Sequence, residues 1–294
     1  MTTYAENLKL KLQDISSLIH ELLDNSTIKH FYNEPGSGFW VVAPSNYWDE
    51  PSDKEQQLQL RIRPKYNRWI ESFRIVTDNL SEPTKEKLKT TDIFVNNWVN
   101  KHGNDWSVPG TINESKRKFD EELKIYFDTL EMLNSSGQAE TIVIPDTNLI
   151  AEFPDPLAYK QISETDSFTL ILVPTVLSEL DELKVKSPNQ EFKNKVKSVI
   201  NRIKGYRTQG SLLDGIKVNR TITVKMIATE PNFDNSLSWL NADNNDDKII
   251  ASSLEILREF PSSNLIIATG DINLQNKCEM ANIPFGEIED LQNL

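Results

Sequence analysis

TIVIPDTNLI, residues 141–150, decides how the second half of this chain folds. TIVIP is a continuous apolar run without polar alternation, the pattern of a strand covered on both faces in a parallel sheet. Asp146 follows at the point where the strand pattern stops. Two similar runs, LILVP (170–174) and NLIIAT (264–269), predict further buried strands, and IPFGEI (283–288) a short edge strand. Between them, apolar spacing predicts helices at about 174–186, 189–208, 244–260 and 271–281. Strands alternating with helices make an α/β domain with a central, mostly parallel sheet. GIKVN and TITVK, near 215–225, are expected to form a small antiparallel insertion.

Ligands of open α/β sheets collect beyond the carboxyl ends of the strands. Asp146 and Asp271, the latter in IIATGDINL (266–274), both follow predicted strands and are expected on that rim. Asp246, in NNDDKIIAS (244–252), opens a helix, and Glu179, in PTVLSELDELK (174–184), lies about one turn into another. Carboxylates gathered on one rim suit a hard divalent cation, since Mg²⁺ takes oxygen ligands. Singly, each aspartate is equally well explained as a helix N-cap, and Glu179 as a solvated helix residue. Between Asp246 and its neighbour Asp247 the choice stays open, with Asp243 a further candidate.

Working outward, LNSSGQAE (133–140) is small and polar, so a connection is expected there, between a domain at 1–138 and one at 139–294. The first domain reads as mainly α-helical. Leu8, Leu12, Ile15, Ile19 and Leu22 keep helical spacing, as do Trp69, Phe73, Val76 and Leu80, and Phe119, Leu123, Tyr126, Leu130 and Leu133. GFWVVAP (38–44) interrupts them with a strand-like run. The tryptophans of this half are expected in its core, with Trp48 and Trp106, in polar surroundings, as alternative stacking surfaces for a base.

At 294 residues with 38% hydrophobic and 26% charged residues, the chain has the composition of a soluble protein of about two domains. No apolar run reaches the ~18 residues a membrane span needs, and no membrane association is expected. The N-terminus lacks the apolar segment of a secretory signal, so a cytoplasmic location is expected. A single cysteine, Cys278, excludes disulfides and thiolate metal sites, and all three histidines precede residue 103, leaving chemistry in the second half to carboxylates, hydroxyls, lysines or metals. The net charge of −12 hides a segregation. Residues 183–225 carry eleven basic side chains against two acidic ones, a local field suited to a polyanion. Lys184, Lys193, Lys197, Lys204 and Arg207 are the candidate nucleic-acid contacts within it. RIRPKYNRW (61–69) mixes basic and aromatic residues and is expected to be exposed helix surface.

Residues 141–290 resemble the PIN-domain nucleases, through DTN (146–148), VLSELDELK (176–184), DDKIIAS (246–252) and ATGDINL (268–274) in the family's order. The lysine-rich helix and its insertion are similar to PIN modules associated with PhoH-type ATPases, and the C-terminal segment to PIN endonucleases of RNA surveillance. The resemblance implies a PIN-like three-layer fold with Asp146, Glu179, Asp246 and Asp271 as the metal-binding catalytic acids. It makes Asn148 and Thr269 supporting groups that orient those acids by hydrogen bonds, with Asp247 beside them; aligning DDKIIA on the family's third motif places the ligand three residues before Ile249, at Asp246, and turns Asp247 toward solvent. It implies Mg²⁺ or Mn²⁺ as cofactor and hydrolysis of phosphodiester bonds in single-stranded RNA, with DNA as the other substrate.

Two rivals differ in class. A haloacid-dehalogenase type of phosphatase needs a second aspartate two residues after the first, where this chain has Asn148. A PIN-like module kept for binding RNA or a partner would do without catalysis. For the helical first half, substrate selection, autoinhibition and a homo-oligomeric or protein-partner contact all stay open.

Overall fold

The structure is a computed structural model that describes residues 2–30, 45–101, 107–135 and 140–289. The chain divides into two compact units, one made of Leu8–Met132 and the other of Met1–Asn7 with Leu133–Leu294. The predicted strand at 38–44, Trp40 and Trp106 lie outside the described residues.

The first unit is built on four helices, α1 (Tyr4–Asp24), α2 (Asp53–Thr77), α3 (Glu82–Asn100) and α4 (Ile112–Ser135), the first and last of which extend past its limits. Between α1 and α2 in the chain, β1 (Ile28–His30) pairs antiparallel with β2 (Asn46–Trp48). The apolar stripes become the core: Leu8, Leu12, Ile15, Ile19 and Leu22 of α1 are buried with Tyr66, Trp69 and Phe73 of α2 and Phe119, Leu123, Tyr126 and Leu130 of α4. A capping box opens α2, Ser52 accepting from the Glu55 N–H while Glu55 accepts from the Ser52 N–H at 2.8 Å. Glu55 is buried, and its other carboxylate oxygen pairs with Lys101 Nζ, which also donates to Ser26 and lies 5.0 Å above the Trp48 ring. Trp48 stands edge-on to Trp98 at 5.4 Å and is 4% exposed. That corrects its reading as a stacking surface, because Trp98 and the Lys101 ammonium cover its ring. In the 61–69 segment the apolar positions Ile62, Tyr66 and Trp69 face inward and the basic ones are exposed.

The second unit holds a six-stranded sheet in the order β5-β6-β4-β3-β7-β8. Its elements follow one another as β3 (Thr141–Pro145), α5 (Thr147–Glu152), a 3-10 turn (Pro156–Tyr159), α6 (Lys160–Ser163), β4 (Phe168–Leu172), α7 (Pro174–Lys186), α8 (Gln190–Arg207), β5 (Ile216–Lys217), β6 (Ile222–Met226), α9 (Asn245–Glu259), β7 (Asn264–Ala268), α10 (Ile272–Met280) and β8 (Phe285–Gly286). All pairings are parallel except β5 with β6. The expected insertion at 215–225 is therefore part of the main sheet. β6 pairs along its length with β4, because Ile222, Val224 and Met226 are buried apolar residues on one face. Every residue of β4 and β7 is buried, as continuous apolar runs require.

The connection that leaves β3 leads to β4 on one side, while β7 pairs with β3 on the other. The strand order reverses between β3 and β7, so a crevice opens at their carboxyl ends. Asp146 and Thr269–Asp271 occupy those ends.

Candidate active site

Asp146 immediately follows β3 and caps α5. Its Oδ1 accepts the Leu149 N–H at 2.6 Å, and its Oδ2 accepts the Thr269 hydroxyl. Thr269, fully buried after β7, in turn accepts the Asp271 N–H at 3.0 Å through the same hydroxyl oxygen. One threonine thus couples the two strand-end acids. Asp271 caps α10, accepting the Asn273 N–H at 2.7 Å, and is exposed. Burial pushes the Asp146 carboxyl above its ordinary pKa, and the nearby Asp271 charge adds to that; the bonds from Thr269 and Leu149 pull the other way. Asp146 and Asp271 share an open cleft of about 680 Å³ with Asn148, Glu152, Gly270, Glu287 and Glu289.

Glu179, on α7, stands at the meeting of three helices. Its Oε2 accepts the Thr147 hydroxyl and its Oε1 accepts Asn245 Nδ2 at 2.6 Å. α7 starts sharply because Pro174 occupies its first turn, where no intrahelical N–H is needed.

The α9 acids separate by environment. Asp247 is 5% exposed, with Oδ2 accepting the Asn241 N–H at 2.9 Å and Oδ1 lying 2.8 Å from Lys277 Nζ. Asp246 is the more open of the two, its Oδ2 3.2 Å from the same ammonium. The expectation that Asp247 faces solvent is corrected: the N-cap Asn244 sets the helix phase so that Asp247 turns inward and Asp246 toward the rim. Asp243 is exposed and its N–H is held by Asn241. Lys277 also donates to Asn244 Oδ1 at 2.8 Å. Desolvation works to lower the Lys277 pKa, and the bonds to Asp247 and Asp246 outweigh it, so the ammonium is stabilised.

Sequence reasoning placed Thr269 where the structure has it bonding. Asn148, expected to orient the acids, is exposed on the cleft wall with no side-chain hydrogen bond among the described residues. Its neighbour Thr147 bonds Glu179 instead, together with Asn245. Both were legible as polar residues flanking Asp146 and Asp246; their bonding reach was not. Lys277 carried no signal, since it lies on α10 while the acids it meets open α9.

The basic candidates are unequal. Lys193 is half-buried and donates to the Val185 carbonyl at 2.9 Å, fastening α8 to the end of α7. Lys184 is half-buried, whereas Lys197, Lys204 and Arg207 are exposed. Arg207 lines a second open cleft, of about 600 Å³, with Ser178, the residue before Glu179.

The donor set consists of carboxylates with polar supports and fits a hard divalent cation in chemistry. Among the described residues, no group of three or more His, Cys, Asp or Glu side chains is gathered closely enough to hold an ion. Asp146 and Asp271 share one cleft, Glu179 is held by the neighbours of Asp146 and Asp246, and Asp246 pairs with Lys277. No described helix is long and apolar enough to cross a membrane.

A family model described as PIN domain matches residues 142–289, just over half of the 294-residue chain. No curated protein matches it. PIN domains are nuclease-type folds that generally work with divalent metal ions on nucleic acid.

Proposed function

The chain belongs to the PIN-domain family, and on that premise we propose that it is a metal-dependent nuclease hydrolysing phosphodiester bonds of single-stranded RNA. Asp146, Glu179, Asp246 and Asp271 would hold Mg²⁺ or Mn²⁺. The observation that carries this reading is the pairing of Asp146 and Asp271 through Thr269 in one cleft at the switch point of the sheet. A divalent cation there supplies Lewis acidity to a phosphoryl oxygen and eases deprotonation of water. The protein's part is to present oxygens in fixed directions. Thr269 holds Asp146 and the start of α10, and Thr147 and Asn245 hold one oxygen each of Glu179. Lys197, Lys204 and Arg207 bring positive charge toward the phosphates of a strand laid along the rim.

A second reading has one observation in its favour. Lys277 already neutralises Asp246, which suits a PIN fold kept for binding alone. Incubation with labelled single-stranded RNA and DNA in Mn²⁺ decides between them. Wild type should cut RNA, and Asp146→Asn, which keeps the cap acceptor but loses the charge, should be slower by at least about a hundredfold, the scale of losing one electrostatic group. A folded wild type that cuts neither substrate, or an equally active variant, sinks the catalytic reading. Cleavage of DNA alone keeps the nuclease and replaces the substrate.

A further inference from the structure

Lys277 is the cation nearest the carboxylates of α9. Its ammonium has three N–H donors, and three side-chain oxygens meet it: Asn244 Oδ1 at 2.8 Å, Asp247 Oδ1 at 2.8 Å and Asp246 Oδ2 at 3.2 Å. The three legs are not equivalent. Asp247 is held from its other oxygen by the Asn241 N–H, and its side chain is 8% exposed. Asn244 is fixed by accepting the Asp247 N–H at 3.1 Å. Asp246 makes the longest leg, and its side chain is 34% exposed. The ammonium thus hydrogen-bonds Asn244 and Asp246 and ion-pairs with the buried Asp247, whose Oδ1 makes no hydrogen bond among the described residues; Asp246 is its longest and most open contact.

We propose that Lys277 is a built-in counter-ion that competes with the divalent cation for Asp246, so that filling the metal site requires Asp246 to leave the lysine while Lys277 stays on Asp247 and Asn244. The inference rests on the proposed cation site. An Asp246 free of any cation would sit beside Asp247 on the same helical turn, and two adjacent carboxylates repel; the ammonium relieves that in the empty state. A dication approaching Asp246 meets the same ammonium as a like charge, which weakens its binding. Lys277 therefore acts as a positioning residue: it holds Asp246 ready and sets the cation concentration at which the site fills.

Mn²⁺ titration calorimetry on the full chain tests this without reference to activity. Lys277→Met should bind Mn²⁺ at least about fivefold more tightly than wild type, the lower end of typical coupling between two sites. Lys277→Arg, which keeps the charge, should stay near wild type. In an Asp246→Asn background the Met substitution should tighten binding by less than it does in wild type, since the contested oxygen has lost its charge and only the like-charge effect is left. A lysine that merely pins α10 to α9 gives the opposite result: its loss loosens the carboxylates, and Mn²⁺ binds equally or more weakly, which overturns the proposal. Should Lys277→Met fail to fold, Lys277→Gln keeps a donor for Asp247 and carries the same comparison. If wild type binds Mn²⁺ and neither neutral variant tightens it, the counter-ion role alone falls. If no variant and no wild type binds Mn²⁺, the cation site falls as well.

Discussion

Replacing Asp247 should damage the fold, and replacing Asp246 should not. Asp247→Ala removes a carboxylate that accepts the Asn241 N–H at 2.9 Å and faces Lys277 at 2.8 Å from a side chain almost out of solvent. A hydrogen bond to a charged group contributes about 1.5–3 kcal/mol. The ion pair adds less, about 1 kcal/mol, because the Lys277 side chain is 22% exposed and water screens it. The loss should therefore total about 2–4 kcal/mol. With a urea slope of roughly 2 kcal/mol/M, the midpoint should fall by about 1–2 M. Asp246→Asn keeps an acceptor at 3.2 Å on an open side chain, so its midpoint should move by no more than about 0.5 kcal/mol equivalent. Urea unfolding by far-ultraviolet circular dichroism, with hydrogen exchange at the α9 amides to assign the change to this unit, supplies the measurement. Equal shifts for the two variants, or an Asp247→Ala protein as stable as wild type, would refute the division between an inward structural acid and an outward functional one.

The remaining predictions concern the supports. Thr269→Val keeps volume but removes the hydroxyl joining Asp146 to Asp271, and should weaken Mn²⁺ binding by about 10–100-fold with Thr269→Ser restoring most of it; calorimetry showing unchanged affinity would separate Thr269 from the site. In the helical unit, Lys101→Met leaves Glu55 buried at 3% exposure without its counter-charge and should cost about 3–5 kcal/mol. Chemical unfolding followed by tryptophan fluorescence reads that unit, since Trp48, Trp69 and Trp98 lie within it, and a loss below about 1 kcal/mol would contradict the burial argument.

Much of the α/β unit was legible because its signals are local. The unbroken runs at 141–145 and 264–268 had to be doubly covered strands, and Asp146 directly after the first and Asp271 three residues after the second had to reach the same rim of a parallel sheet. The errors fall where the deciding contact is distant in sequence. Which face of α9 turns inward depends on Asn244 as cap and on packing, so alignment on the family's third motif misplaced Asp247. TITVK reads in sequence as part of a small antiparallel insertion, yet pairing with β4 makes it a full member of the sheet. Asn148 and Thr147 are adjacent polar residues, and only the position of α7 determines that the second one meets Glu179.

By itself the amino-acid sequence determined the order of elements, the rim on which Asp146 and Asp271 stand, and the charge contrast between an acidic site and a basic stretch, because periodicity, strand ends and composition act over a few residues. Tertiary structure alone decided that Thr269 joins those two acids, that Asp247 is buried and Asp246 open, and that a lysine from α10 pairs with both α9 carboxylates. Those are contacts between side chains brought together across the sheet, 30 residues apart in the case of Asp247 and Lys277 and more than 120 for Asp146 and Thr269, and no local pattern encodes which of two neighbouring polar residues will make them.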